Sequence, residues 1–260
     1  MPPLVSVVVP SLNQGHFIAE TIDSILRQDV PEIEVLVVDG GSTDDTLDVL
    51  RRYGDRISWT SEPDRGQSDA INKGLRRASG AIVCYLNSDD TFEPGALARV
   101  VRYFSDHPEC SWLFGRCRIV DGNGAPIRSF VEQYKRAWAR FARSRAALLA
   151  LNYVPQPATF WRSSAMERVG LIDEALHYSM DYDLWLRLAR LGAAGYIDAY
   201  LASFRIHDAS KSLNGARKQL AEACDVARRH GARALVPLHR AHDWATLVTY
   251  RLRYDQAIWP

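Results

Sequence analysis

The stretch Leu4-Val5-Ser6-Val7-Val8-Val9-Pro10-Ser11-Leu12-Asn13 decides the fold. Val5 to Val9 form a continuous apolar run that Pro10 ends, the pattern of a strand covered on both faces. Ile18, Ile22 and Ile25 then recur at i, i+4 and i+7, the stripe of a helix packed on a sheet. This is a β-α unit, and the following residues repeat it. Glu34-Val35-Leu36-Val37-Val38 predicts a second buried strand, and Gly40-Gly41-Ser42 supplies turn and cap chemistry for a helix carrying Leu47, Leu50 and Tyr53. Ser42 with Asp45 resembles a capping box. Ile57-Ser58-Trp59 reads as a third short strand, Ile71, Leu75 and Ala78 mark the helix after Gly66, and Ala81 to Leu86 return as a fourth strand. Pro94 sits at the first turn of a further helix whose inner face carries Leu97, Val101 and Phe104. Strands alternating with helices predict an α/β fold with a mostly parallel central sheet flanked by helices.

The pattern changes beyond Pro108. Ser111 to Val120, the turn Asp121-Gly122-Asn123-Gly124 and Ala125 to Phe130 predict a hairpin. Residues 1–108 are therefore read as the donor half and 109–212 as the acceptor half of one domain. Residues 213–260, rich in Ala, Arg and His, carry no motif that attaches to chemistry and are read as a helical packing extension. Between them, residues 133–150 set Tyr134, Trp138 and Phe141 among Lys135, Arg136, Arg140, Arg143 and Arg145. A solvated amphipathic helix is the preferred reading of that segment, with attachment to a membrane surface or contact with an anionic acceptor as the alternatives.

A chain of 260 residues, 47% of them hydrophobic, can bury a substantial core. Its 32 basic and 31 acidic side chains nearly cancel, which removes bulk attraction to nucleic acid as an argument for that partner. Any anion must be held by a local site. The four cysteines, Cys84, Cys110, Cys117 and Cys224, lack CxxC spacing, so neither a zinc cage nor a disulfide framework is indicated. No stretch approaches the roughly 18 apolar residues of a membrane span. The expected setting is the cytoplasm, or the inner face of the plasma membrane; whether the chain forms a homodimer is left open.

In an open parallel sheet, ligands bind beyond the carboxyl ends of the strands, where loops converge on helix N-termini. Those ends carry Pro10-Ser11-Leu12-Asn13, Asp39-Gly40-Gly41-Ser42, Glu62-Pro63-Asp64-Arg65-Gly66-Gln67 and Asn87-Ser88-Asp89-Asp90. Each alone is explained by a cap or a turn. Four successive ends crowded with small, polar and acidic residues point to a binding edge. Asp89-Asp90 is the most informative pair, because adjacent carboxylates repel unless donors or a cation compensate them. Mg2+ or Mn2+ suits this role, since it needs few carboxylates when a diphosphate completes its shell.

In that order, Val7-Val8-Val9-Pro10-Ser11, Val37-Val38-Asp39-Gly40-Gly41-Ser42-Thr43-Asp44, Glu62-Pro63-Asp64-Arg65-Gly66 and Leu86-Asn87-Ser88-Asp89-Asp90 resemble family 2 of the glycosyltransferases. The resemblance covers roughly residues 4 to 210 and implies the GT-A fold. It also implies an inverting transfer of a sugar from a nucleotide diphosphate donor, a UDP-sugar first, to a hydroxyl of a glycan or lipid-linked acceptor in bacterial cell-surface polysaccharide assembly. By it, Pro10, Ser11, Asn13, Asp39, Asp64, Arg65, Gly66, Asn87, Ser88 and Asp89 bind the nucleotide sugar, and Asp89, Asp90 and His207 hold the metal. Asn87 stands where the family's DxD form has its first aspartate. Met180-Asp181-Tyr182-Asp183-Leu184-Trp185 matches the family's base segment, with Met180 in place of the usual Glu. The match assigns Asp181 as catalytic base, the bland alternative being a helix cap. Arg205, Lys211, Asp183 and Trp185 are candidates for the diphosphate or the acceptor. A nucleotidyltransferase and a non-catalytic nucleotide or sugar binding module are the competing readings. The first usually has a basic Gly-rich loop that Ser11 to Gly15 lacks, and neither GxGxxG nor a P-loop occurs.

Overall fold

The computed structural model of the protein describes residues 4–235 apart from 128, 142, 143, 209 and 211–214, together with residues 237 and 239. In the first half, strands β1 (Val5–Ser11), β2 (Ile33–Asp39), β3 (Ser58–Ser61) and β4 (Ile82–Tyr85) alternate with helices α1 (Ile18–Leu26), α2 (Thr46–Arg51) and α3 (Gln67–Arg77). Strand β5 (Thr91–Phe92) and helix α4 (Ala96–Asp106) follow. The second half contributes strands β6 (Trp112–Val120), β7 (Thr159–Arg162) and β8 (Gly195–Arg205). Its helices are α5 (Ser129–Phe141), α6 (Arg145–Ala150), α7 (Ser163–Val169), α8 (Met180–Leu188) and α9 (Ala216–Arg229).

All eight strands form one sheet in the order β3-β2-β1-β4-β7-β6-β8-β5. The pairs β1·β2, β1·β4, β2·β3 and β6·β8 are parallel, while β7 runs antiparallel to both β4 and β6 and β5 runs antiparallel to β8. Register aligns Ser11 with Asp39 and Asp39 with Ser61, so the ends of β1, β2 and β3 lie level at one edge. Chain order reverses at β1, which has β2 on one side and β4 on the other, and a cleft opens there.

Alternation along β1 builds two cores. Val5, Val7 and Val9 face α1, α2 and α4, packing with Ile18, Ile22, Ile25, Leu50, Leu97 and Phe104. Val8 faces the other way, toward α3 and α8, in a cluster that includes Ile71, Trp112, Trp161 and Trp185. Helix α3 reaches β1 through Gly74, where a Cβ would lie 2.3 Å from Val8 Cγ1, so only glycine permits this approach. Trp112 and Trp185 stack with ring centroids 6.0 Å apart and planes 6° apart, and Trp161 packs on Trp185 at 5.8 Å.

Two local expectations are corrected. After β6 the chain turns at 121–124 as expected, but it returns only as far as Ile127, through the Val120–Pro126 bridge and backbone bonds from Asp121 N–H to the Ala125 carbonyl and from Ile127 N–H to the Ile119 carbonyl. Ser129 and Phe130 already belong to α5. Ser42 does not cap α2. Its hydroxyl donates to Asp39 and accepts from the Asn13 N–H, while Asp44 Oδ1 accepts from the Thr46 N–H at the start of α2.

Candidate active site

The loops at the carboxyl edge are joined before any ligand enters. Asp39 is fully buried at the end of β2, where its Oδ2 accepts from the N–H groups of Gly41 and Ser42 and from Ser61 Oγ, and its Oδ1 from Ser42 Oγ. The loop after β1 fastens to the same platform: the N–H groups of Asn13, Gln14 and Gly15 donate to Ser42 Oγ, Thr46 Oγ1 and Asp44 Oδ2, and Thr43 N–H donates to Asn13 Oδ1. Asn13 takes a left-handed backbone (φ 53°) to do so. Across the cleft, Asp64 Oδ1 accepts from Gly66 N–H. A Cβ on Gly40 would lie 2.4 Å from Asp64 Oδ2, so glycine lets the two loops close on each other.

Asp39→Asn should therefore cost about 1–3 kcal/mol, because an amide nitrogen cannot accept from these donors. Thermal denaturation checks the stability change, and nucleotide titration the weakened binding expected from a loosened loop.

A cavity of about 930 Å³ opens over this edge. Pro10, Ser11, Asp64, Gly66, Asn87, Ser88 and Asp89 border it from the carboxyl edge of the first four strands, and Asp181 borders it from α8. The turn between β4 and β5 carries the acidic pair in two different environments. Asp89 faces the cavity, with one carboxylate oxygen 3.1 Å from His207 Nε2. Asp90 is fully buried beneath it, accepting from Arg205 N–H and the Asn87 amide. Burial and the neighbouring Asp89 charge push the Asp90 carboxyl well above the usual carboxylate range, against the Arg205 and Asn87 bonds.

Asp181 lies in the first turn of α8, where the helix dipole favours a carboxylate. Loss of water around it pushes its carboxyl up to about 6, while the Tyr182 N–H and the Lys135 ammonium pull the other way. Lys135 reaches the cavity from α5, and burial lowers the pKa of its ammonium.

Other expected contacts fall elsewhere. Asp39 and Asn13 shape the rim from behind and do not border the cavity. Arg65 points outward, bonded to Asp69 and Glu174. Arg205 borders the cavity, but its guanidinium donates to the carbonyls of Asp89 and Gly122 and pairs with Glu20, so it clamps the acidic turn instead of meeting an anion. Asp183, two residues on, is rotated to the opposite side of α8 and turned to Arg187 and His230, while Trp185, one turn beyond Asp181, is buried in the aromatic core. Lys211 lies outside the described residues.

Several residues gained no role from sequence. Gln156 donates to the Tyr85 carbonyl and shares a bond with Asn87, and Gln67 also bonds Asn87, so both support the turn before Asp89. Gln67 follows Gly66 within one of the four strand ends and could have been found there. Gln156 has no local signal. Helix α9 also borders the cavity through Gln219, Leu220 and Ala223, which corrects the reading of the C-terminal region as packing alone.

Solved structures of sugar-transferring enzymes share this architecture. S. aureus TarS residues 1–349, in complex with UDP-GlcNAc, superposes with a TM-score of 0.69 over 97% of this chain and 76% of that one, at 18% identity. A mannosyltransferase from Pyrobaculum calidifontis, in complex with GDP-Man and Mn2+, does so with a TM-score of 0.69 over 99% of this chain and 78% of its own, at 21% identity. The fold is that of the GT-A glycosyltransferases. Residues 6–169 match the model of Glycosyl transferase family 2, and the chain belongs to that family. An uncharacterized glycosyltransferase of Rickettsia prowazekii is 28% identical over 226 residues, 86% of this chain and 70% of that protein. The protein is thus a glycosyltransferase, and the nucleotidyltransferase and binding-module readings give way.

Proposed function

We propose that the chain transfers a sugar with inversion, in a single displacement, from a nucleotide diphosphate donor to a hydroxyl of a glycan or glycolipid acceptor. The observation that carries this is that Asp89 and Asp181 border one cavity, the second with a carboxyl pushed up to about 6 by burial. Tyr134, Tyr153 and Phe130 also border the cavity and offer apolar faces to a sugar ring.

As the acceptor oxygen attacks the anomeric carbon, its proton passes to Asp181, and the bond from that carbon to the phosphate oxygen breaks with its electron pair leaving on the nucleotide diphosphate. Base assistance of this kind contributes roughly 10²- to 10⁴-fold. Ser11, Asp64, Gly66, Asn87 and Ser88 bind the donor under this reading. Asp39 and Asn13 act by fixing the loops that meet it.

The residues fit a hard divalent cation. A cavity-facing carboxylate oxygen lies beside an imidazole nitrogen at Asp89 and His207. No group of three or more His, Cys, Asp or Glu suited to a metal occurs among the described residues, as expected where diphosphate and water complete the shell. Mg2+ or Mn2+ held there would supply positive charge to the departing diphosphate. Asp90 then supports the turn from beneath instead of touching the ion.

A UDP-sugar is the first donor to try, with GDP- and dTDP-sugars beside it, because TarS was solved with UDP-GlcNAc and the mannosyltransferase with GDP-Man. Bacterial cell-surface polysaccharide assembly is the proposed setting. No described helix is long and apolar enough to cross a membrane.

Nucleotide release from a panel of these donors, followed with Mn2+ and with EDTA, tests the reading. Release that depends on the metal is expected for one donor class. Failure to release nucleotide from every donor, despite nucleotide binding, would overturn it.

A further inference from the structure

We infer that Glu222 on α9 is a positioning residue for the Asp181 base, holding in place the segment from which α8 starts. This rests on the proposed role of Asp181. The Glu222 carboxylate accepts from three successive backbone N–H groups: Oε1 from His177 at 2.9 Å, Tyr178 at 3.0 Å and Ser179 at 3.0 Å, with Oε2 also 3.3 Å from His177 N. One turn earlier on α9, the Gln219 carbonyl accepts from Ser179 Oγ at 3.1 Å.

Ser179 is the N-cap of α8 and makes no capping bond with its own side chain. Its carbonyl nevertheless accepts the first bond of the helix, from Asp183 N–H at 3.1 Å. A local Ser, Thr or Asp usually fixes a helix start, but in α8 that task falls to a carboxylate more than 40 positions away. Asp181 follows Ser179 by two residues, so displacement of the 177–179 segment carries the base with it. Farther along, His230 Nε2 lies 2.8 Å from Asp183 Oδ1, giving α8 a second tie, to the residue that ends α9. Helix α9 is therefore fastened to both sides of Asp181, and its own side chains border the same cavity.

Charge offers a readout that a purely structural contact does not. Lys135 of α5, Tyr85 of β4 and Glu222 of α9 are the titratable groups acting on Asp181 from the elements around it. Lys135 favours the carboxylate, and the Glu222 charge opposes it.

The test uses the whole protein and compares Glu222→Ala with Glu222→Gln against the activity of the unaltered enzyme. Misplacing the base in Glu222→Ala should lower kcat by about 10- to 100-fold, with donor KM and nucleotide Kd within about 2-fold of their starting values. Glu222→Gln keeps an acceptor oxygen at the Oε1 position but loses the charge. It should recover most of kcat and move the acid limb of the kcat/KM profile to lower pH. An unchanged kcat in Glu222→Ala would overturn the inference, as would equal loss of kcat and nucleotide affinity. An acid limb unmoved in Glu222→Gln would overturn it too, and that measurement stands even if the alanine variant does not fold. Transfer by the unaltered enzyme, with its loss in Asp181→Asn, secures the underlying reading separately, so failure at Glu222 concerns this inference alone.

Discussion

Asp181→Asn is expected to lower kcat by about 10²- to 10⁴-fold while leaving nucleotide affinity within about 2-fold, because the base acts on the acceptor proton as the new bond forms. The amide keeps the shape of the side chain but cannot take a proton. In the unaltered enzyme the Asp181 carboxyl sits at about 6, so kcat/KM should fall below that pH as the base becomes protonated and level off above it. Stability runs the other way. Burial raises the folded-state pKa above its ordinary 3.8, so the charged form opposes folding at neutral pH and that penalty is relieved as pH falls through about 6 toward 4. The Asn variant should therefore melt no lower than the unaltered protein at pH 7.5. Inactivity with unchanged melting and binding identifies lost chemistry; retained activity would remove Asp181 from the mechanism.

The largest effect on stability is expected at Trp185. Its indole is fully buried, parallel to Trp112 and packed on Trp161, at the centre of the core between the sheet and α8. Trp185→Ala should cost about 3–5 kcal/mol, as truncation of a large core aromatic leaves a cavity that its neighbours only partly fill. Denaturant midpoints at unchanged slope check this. Trp185→Phe should cost much less. It retains a ring against Trp112, and the Trp185 indole nitrogen has no hydrogen-bond partner among the described residues, so its removal leaves nothing unsatisfied. Asp181 precedes Trp185 by one helical turn, so the alanine variant should lose activity even where it remains folded.

The first half of the fold was legible because its signals are local. A buried strand, a polar turn and an apolar helical stripe recur within about thirty residues, and the switch in strand order dictates that Ser11, Asp64 and Asp89 meet at one edge. The direction in which each side chain points was not legible. Asp39 ends β2 and Asp89 lies in the turn after β4, yet the first turns inward to bind four donors and the second faces the cavity. That difference depends on neighbouring loops more than on either residue. Asp183 stands two residues from Asp181, and helical rotation turns it to Arg187 and His230, whereas Trp185, one turn on, is taken up by the core. Lys135, Gln156 and Glu222 meet the site through contacts between distant segments, which neither periodicity nor local motif encodes. Of the three, only Lys135 carried a sequence signal, as part of the basic and aromatic segment 133–150.

The seating of β8 between β6 and β5 also constrains how the protein comes into being. Arg205, at the end of β8, reaches back 115 positions to Asp90 and 185 to Glu20. On the ribosome, the β1–β4 layer can form early, but the acidic turn after β4 has no clamp until β8 has been synthesised and inserted. A nascent or truncated chain can thus look half-folded while lacking a competent centre. Pairings across such separations also slow the final step of folding.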